Sequence, residues 1–290
     1  MTDDHHHHDH DRGLEFDVRT LMSRRHALPL LAGVGATALV GCATQDESST
    51  AASSSPAESS ATTGPTGTSS PTDSATSDTV EQCVEIPEET AGPFPGDGSN
   101  GPNVLTESGI VRSDITSSFG SASGVAEGVP LTINLTILDL ANGCAPLSYA
   151  AVYLWHCTRD GEYSLYSDTV GDENYLRGVQ ETNADGVATF TSIFPGAYSG
   201  RWPHIHFEVY ASLNEATAAG QISATSQIAL PQDVCELVYA TEGYSQSISN
   251  LSQTSLERDN VFGDDGGVSQ LATVTGNVAD GFIASLSVVV

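Results

Sequence analysis

Two histidines, His204 and His206, lie one residue apart in the run from Tyr198 to Phe207 (YSGRWPHIHF). A strand alternates its side chains, so His204 and His206 share one face while Ile205 and Phe207 take the other. Two imidazoles about 7 Å apart on one face can chelate a single metal ion. Five of the nine histidines fall in the first ten residues and one at His26, leaving His156, His204 and His206 in the remainder. The bland alternative is a pair of exposed strand residues, but the apolar neighbours on the opposite face argue for a core strand. A carboxylate could complete a two-histidine site for Fe(II) or zinc, and Glu208 is the strand-face candidate in phase with His206. The chain has no C-x-x-C pair, which argues against a cysteine-ligated metal.

Short strands must hold these residues. Leu131–Leu140 (LTINLTILDL) and Ala151–Cys157 (AVYLWHC) alternate or run apolar, with the turn signals Asn142, Gly143 and Pro146 between them. Ala188–Ile193 follows an Asp185-Gly186 turn, and Pro195-Gly196 precedes Tyr198. His204–Ala211 and Gly281–Val290 are further strands, and Pro231–Thr241 is a short helix. The expected fold class is all-β, an antiparallel β-sandwich with long loops.

The first 42 residues read as an export signal. Paired arginines, Arg24 and Arg25, precede a 15-residue apolar run from Ala27 to Gly41, the length of a signal-peptide core rather than of a bilayer span. The pair resembles a twin-arginine signal, and Leu39-Val40-Gly41-Cys42 resembles a lipobox. The expectation is a protein exported and lipid-anchored through Cys42 on the outer face of a bacterial cytoplasmic membrane, or secreted. The His5–His10 cluster lies ahead of the cleavage point and reads as a solvated flank. Residues 43–80 are rich in Ser, Thr, Ala and Pro and read as a disordered tether, leaving one domain at 81–290. The other four cysteines, Cys83, Cys144, Cys157 and Cys235, are an even set in an exported domain. They predict two disulfides, with three pairings open. Arginine supplies all nine basic residues against 37 acidic ones, for a net charge of -28. That balance argues against nucleic acid and a polybasic membrane patch.

Several short motifs follow one another along the chain: WHC at Trp155–Cys157, GEY ending at Tyr163, NADGVATF at Asn183–Phe190, FPGAY ending at Tyr198, and GRWPHIH at Gly200–His206. With CVEIPEETAGPF at Cys83–Phe94 and VRSDI at Val111–Ile115, this set resembles the intradiol ring-cleavage dioxygenases. It most resembles their exported branch, in which the loop from tyrosine to first histidine is short, as from Tyr198 to His204. The resemblance implies one Fe(III) per chain held by Tyr163, Tyr198, His204 and His206, with Arg201 near the substrate. It also implies a catechol-type diol and O2 as substrates, a muconate-type diacid as product, and Tyr198 as a ligand that leaves the metal to act as base. Phenolate is a hard anionic donor suited to Fe(III). Tyr166 and Tyr175 compete with Tyr163 for the first ligand position. Tyr149, Trp155 and His156 read as core or pocket wall, Arg112 and Asp114 as a structural pair, and Ala211–Val290 as free of recognisable chemistry. The alternative is a cell-surface binding sandwich without catalysis.

Overall fold

The computed structural model describes residues 83–290, so the signal and tether readings lie outside the described residues. Strand β1 (Pro130–Asp139) alternates as its sequence does, with Leu131, Ile133, Leu135 and Ile137 turned into the core. Each such side chain contributes ~1.5–3 kcal/mol relative to exposure. A one-residue slip would exchange them for Thr132, Asn134 and Thr136, so the register is fixed. Strand β5 (Val187–Ile193) and the two-residue β2 (Ala145–Pro146) share one edge of β1, both antiparallel. Strand β9 (Gly281–Val289) takes the other edge, and β8 (Thr273–Asn277) pairs antiparallel with β9.

The β1–β9 pair is parallel, from Leu131↔Phe282 to Leu138↔Val289. This sheet is therefore mixed, its one parallel pair set within the all-β sandwich that was expected. Parallel neighbours need a long connection, and the whole second sheet lies between these two strands in the chain. That sheet runs β4–β3–β6–β7: Arg177–Glu181, Ala151–Trp155, His204–Tyr210 and Ile222–Ala229, all antiparallel. The sequence reading did not identify β4, β7 or β8. In β7 (ISATSQIA) the residues from Ala224 to Ala229 are buried although three are polar, so the strand lacks the usual apolar contrast.

The two sheets face each other across the main core, where Ile133 and Phe190 meet Val152, Leu154, Ile205, Phe207 and Val209. Three helices follow: α1 (Leu213–Thr217), α2 (Gln232–Tyr239) and α3 (Ser245–Leu251). Only α2 was expected. Asp185-Gly186 makes the predicted turn into β5. Gly186 has φ +75°, and a Cβ there would stand 2.5 Å from the Ile137 carbonyl oxygen, so only glycine fits.

The outer face of the second sheet is buried as well. Tyr153, Trp155 and Tyr210 pack there beneath Phe94, Val104, Leu105 and Ile110 of the N-terminal segment and against Tyr163. That segment is anchored by Arg177, whose guanidinium donates to the carbonyls of Phe94, Pro95 and Ser164. It is also tied by a Cys83–Cys144 disulfide. This is the one disulfide among the described residues, where two were expected. Cys157 and Cys235 are buried thiols instead. They belong to different clusters, Cys157 with the outer face and Cys235 with the main core.

Candidate metal centre

Strand β6 is HIHFEVY, and all seven residues are buried. Ile205, Phe207 and Val209 enter the main core, which leaves His204, His206 and Glu208 on the outer face. On that face the Nε2 atoms of His204 and His206 are 3.1 Å apart. The Tyr198 hydroxyl lies 3.2 Å from His204 Nε2. Tyr163 completes the group, its ring centroid 5.9 Å from that of Tyr198 and 6.2 Å from that of His206. The structure therefore brings together all four residues singled out as ligands. Tyr166 is otherwise engaged: its hydroxyl accepts from Gly96 N–H and donates to the Asn100 carbonyl. Tyr175 packs in a separate cluster with Ala126 and Ile193.

Protonation states follow from the surroundings. His204 Nδ1 donates to the Trp202 carbonyl at 2.5 Å, because a carbonyl can only accept. The lone pair of its Nε2 is thus left facing the group. The His206 ring is stacked on Trp155, its partner across the β3–β6 ladder, at 4.9 Å and 5°. Burial pushes both imidazoles well below the usual histidine pKa. Arg201 adds to this at His204, and His204 followed by Arg201 at His206. They are neutral donors at pH 7. Burial, and next the neighbouring Tyr198, holds the Tyr163 phenol well above its ordinary pKa. Its hydroxyl is buried with no hydrogen-bond partner. Two neutral imidazoles, an orphaned phenol and a second phenol fit a hard, highly charged cation, which would reverse the shift on Tyr163.

Arg201 is 1% exposed and held on two sides. Its Nε donates to Asp259 Oδ2 at 3.0 Å and its Nη2 to Gln227 Oε1 at 2.7 Å. Its Nη1 lies 3.5 Å from both the Tyr198 hydroxyl and His204 Nε2. Gln227 stands opposite His206 in the β6–β7 register and donates to the Thr90 carbonyl.

Glu208 is turned to another task, accepting from the Tyr210 hydroxyl at 2.7 Å. Among the described residues no group of three or more His, Cys, Asp or Glu could hold a metal. The two-histidine-plus-carboxylate alternative therefore finds no support among the described residues.

A family model described as Dioxygenase matches residues 101–253, more than half of the chain. The structure of an intradiol ring-cleavage dioxygenase from Tetranychus urticae superposes with a TM-score of 0.57 at 27% identity, covering 71% of this chain and 94% of that one. The chain belongs to the intradiol ring-cleavage dioxygenase family. A further dioxygenase crystal structure aligns with a TM-score of 0.56 at 26% identity, over 72% of this chain and 94% of the other. A chlorocatechol 1,2-dioxygenase from Rhodococcus opacus is 32% identical over 85 residues, 23% of this chain and 33% of the relative. The match thus spans about a third of that relative's length.

Within this family member the remaining expectations divide. His156 is core: its ring nitrogens bond Ser192 Oγ at 2.7 Å and the Cys157 carbonyl at 2.8 Å, and burial pushes its pKa down to about 4. Trp155 is wall. Tyr149 is 65% exposed, at a left-handed turn with φ +66° ahead of β3, and so is not core. Arg112 and Asp114 are both structural but are not a hydrogen-bonded pair. Arg112 donates to the carbonyls of Asn174, Arg177 and Ser117, while Asp114 accepts from Thr116. Sequence reasoning missed Gln227, Asp259 and Arg177. Gln227 carries a weak signal, a polar residue inside a buried strand. The other two carry none.

Proposed function

We propose that this chain holds one Fe(III) through Tyr163, Tyr198, His204 and His206. With it the chain opens a catechol-type ring between the two hydroxyl-bearing carbons, both atoms of O2 entering a muconate-type diacid. The observation that supports this best is the convergence of two phenols and two neutral Nε2 donors on one buried face of β6. When bound, ferric iron would lower the tyrosine pKa values and draw electron density from the diol, which opens the ring to O2.

The protein's own groups carry the rest. Tyr198 is the base: as phenolate it accepts a catechol proton, a transfer that suits a donor and acceptor within hydrogen-bond reach. Arg201 Nη1 stands beside the Tyr198 oxygen, where a fixed guanidinium stabilises the negative charge that the diol gains. His204 and His206 are locked by Trp202 and Trp155. The N-terminal segment around Phe94, whose ring centroid is 5.0 Å from that of Tyr163, excludes water from that side.

Iron analysis and an absorption spectrum of the purified protein test this reading. About one iron per chain and a burgundy tyrosinate charge-transfer band are expected, with O2 uptake on adding catechol. Stoichiometric zinc without a visible band would overturn it. We also propose export through Arg24 and Arg25 and anchoring through Cys42, which fits the Cys83–Cys144 disulfide, since such bonds persist in oxidising compartments. Replacing both arginines by lysine should trap precursor in the cell, and Cys42→Ser should release the protein from membranes. Unchanged fractionation of either variant would remove that part of the claim.

A further inference from the structure

Asp259 lies immediately after a short 3-10 turn (Leu256–Arg258), 58 residues from Arg201, in the stretch where the sequence offered no chemistry. It is 2% exposed. Its carboxylate takes both Nε and Nη2 of Arg201, at 3.0 and 3.3 Å. It also accepts from the backbone N–H groups of Trp202 at 2.6 Å, Val261 at 2.9 Å and Phe262 at 3.2 Å. A bidentate carboxylate fixes the guanidinium plane, and the three amides fix the carboxylate. Gln227 holds Nη2 as well, and Nη1 faces Tyr198 and His204.

We propose that Asp259 is the positioning residue of this site: it aims Arg201 Nη1 at the oxygen that exchanges a proton with substrate, and acts on turnover chiefly through Arg201. The inference rests on the catechol-cleaving reading above. A buried arginine without its carboxylate would adopt other rotamers toward Gln227 and the Thr90 carbonyl. A displacement of about 1 Å at a catalytic group can cost on the order of 10²-fold in rate. A carboxylate that only braced the fold would act on stability and on metal retention, independently of whether Arg201 is present.

The test is a double-mutant cycle on the iron-loaded full chain with Asp259→Asn, Arg201→Ala and the double variant, read as kcat and as catechol affinity from the optical titration. Asp259→Asn should keep the visible band, lower kcat by about 10–10²-fold, and change catechol affinity by less than about 3-fold. In the Arg201→Ala background the same change should cost nothing further. Additive losses, or loss of the band in Asp259→Asn, would overturn the proposal.

If the Asn variant does not fold, Asp259→Glu keeps the charge but advances the carboxylate by one methylene, and it should show the same kcat loss. A Glu variant with wild-type kcat would then count against the idea. Hydrogen exchange at the Arg201 Nε–H, assigned by its absence in Arg201→Lys, gives a readout independent of catalysis. It should be slow in the wild type and at least about 10-fold faster in Asp259→Asn, as expected when a buried charge-assisted bond is lost. Should the wild-type protein cleave no catechol, the proposed function fails and this exchange alone decides the role of Asp259: an unchanged rate overturns it.

Discussion

The Tyr198 hydroxyl has two neighbours of opposite character, the neutral Nε2 of His204 at 3.2 Å and the cationic Nη1 of Arg201 at 3.5 Å. Truncating each partner should therefore fail differently. On the proposed function, Tyr198→Phe removes an anionic donor and the base. The visible band should shift, and turnover should fall by roughly 10²–10⁴. Arg201→Ala leaves the four donors intact, so colour and iron content should persist while kcat falls by about 10²–10³. The long-wavelength band formed on adding catechol should survive in that variant. Iron loss from Arg201→Ala would mean that the arginine only supports the fold.

At the level of elements, the site is a strand face closed by a strap. The segment from Cys83 to Leu105 crosses the outer face of the second sheet. It is held there by Glu89 N–H donating to the Thr225 carbonyl, by Gln227 donating to the Thr90 carbonyl, and by Arg177 under Phe94 and Pro95. The disulfide fixes its first residue to Cys144, just past the turn that ends β1, closing a sequence separation of 61. A loop of that length is worth about 4 kcal/mol by the chain-entropy argument. Cys83→Ser, paired with Cys144→Ser to avoid a stray thiol, should lower unfolding stability by ~2–4 kcal/mol in denaturant titrations. It should also raise the catechol concentration needed for half-saturation, because the strap carries Thr90 and Phe94. Wild-type stability in the double serine variant would show that the other anchors suffice.

Across the whole molecule, buried titratable groups set opposing pH dependences. Glu89 is raised from 4.5 to about 8, first by burial and then by Asp264, with Arg201 acting the other way. The folded state keeps a proton that the unfolded chain releases. Stability linked to Glu89 is therefore complete below pH 4.5 and is lost as pH rises through 8. His156 runs in reverse. Its pKa falls from 6.5 to about 4, so its contribution is present above pH 6.5 and is lost as pH falls through 4. Glu89→Gln should accordingly flatten the stability decline between pH 6.5 and 8 while leaving the acid limb in place. Denaturation midpoints measured from pH 4 to 8.5 check this. Parallel wild-type and variant curves above pH 6.5 would contradict the assignment.

By itself the sequence determined the features that follow from local period and residue type. Alternation put His204 and His206 on one face, the run LTINLTILDL could only be a half-buried strand, Asp185-Gly186 had to turn, and the ordered motifs pointed to the four donors. The first three are each encoded within about ten residues, and every motif in the ordered set is itself short. Only the tertiary structure decided which distant segments meet. It set Tyr163 beside Tyr198 and His206, while Tyr166 and Tyr175 are engaged elsewhere. It paired Cys83 with Cys144 and left Cys157 and Cys235 as thiols in separate cores. It set β9 parallel to β1, brought Gln227 beside His206 through the β6–β7 register, and carried Asp259 back to Arg201. No local pattern marks such partners, because a buried polar residue is stable only through a bond that some remote part of the chain must supply.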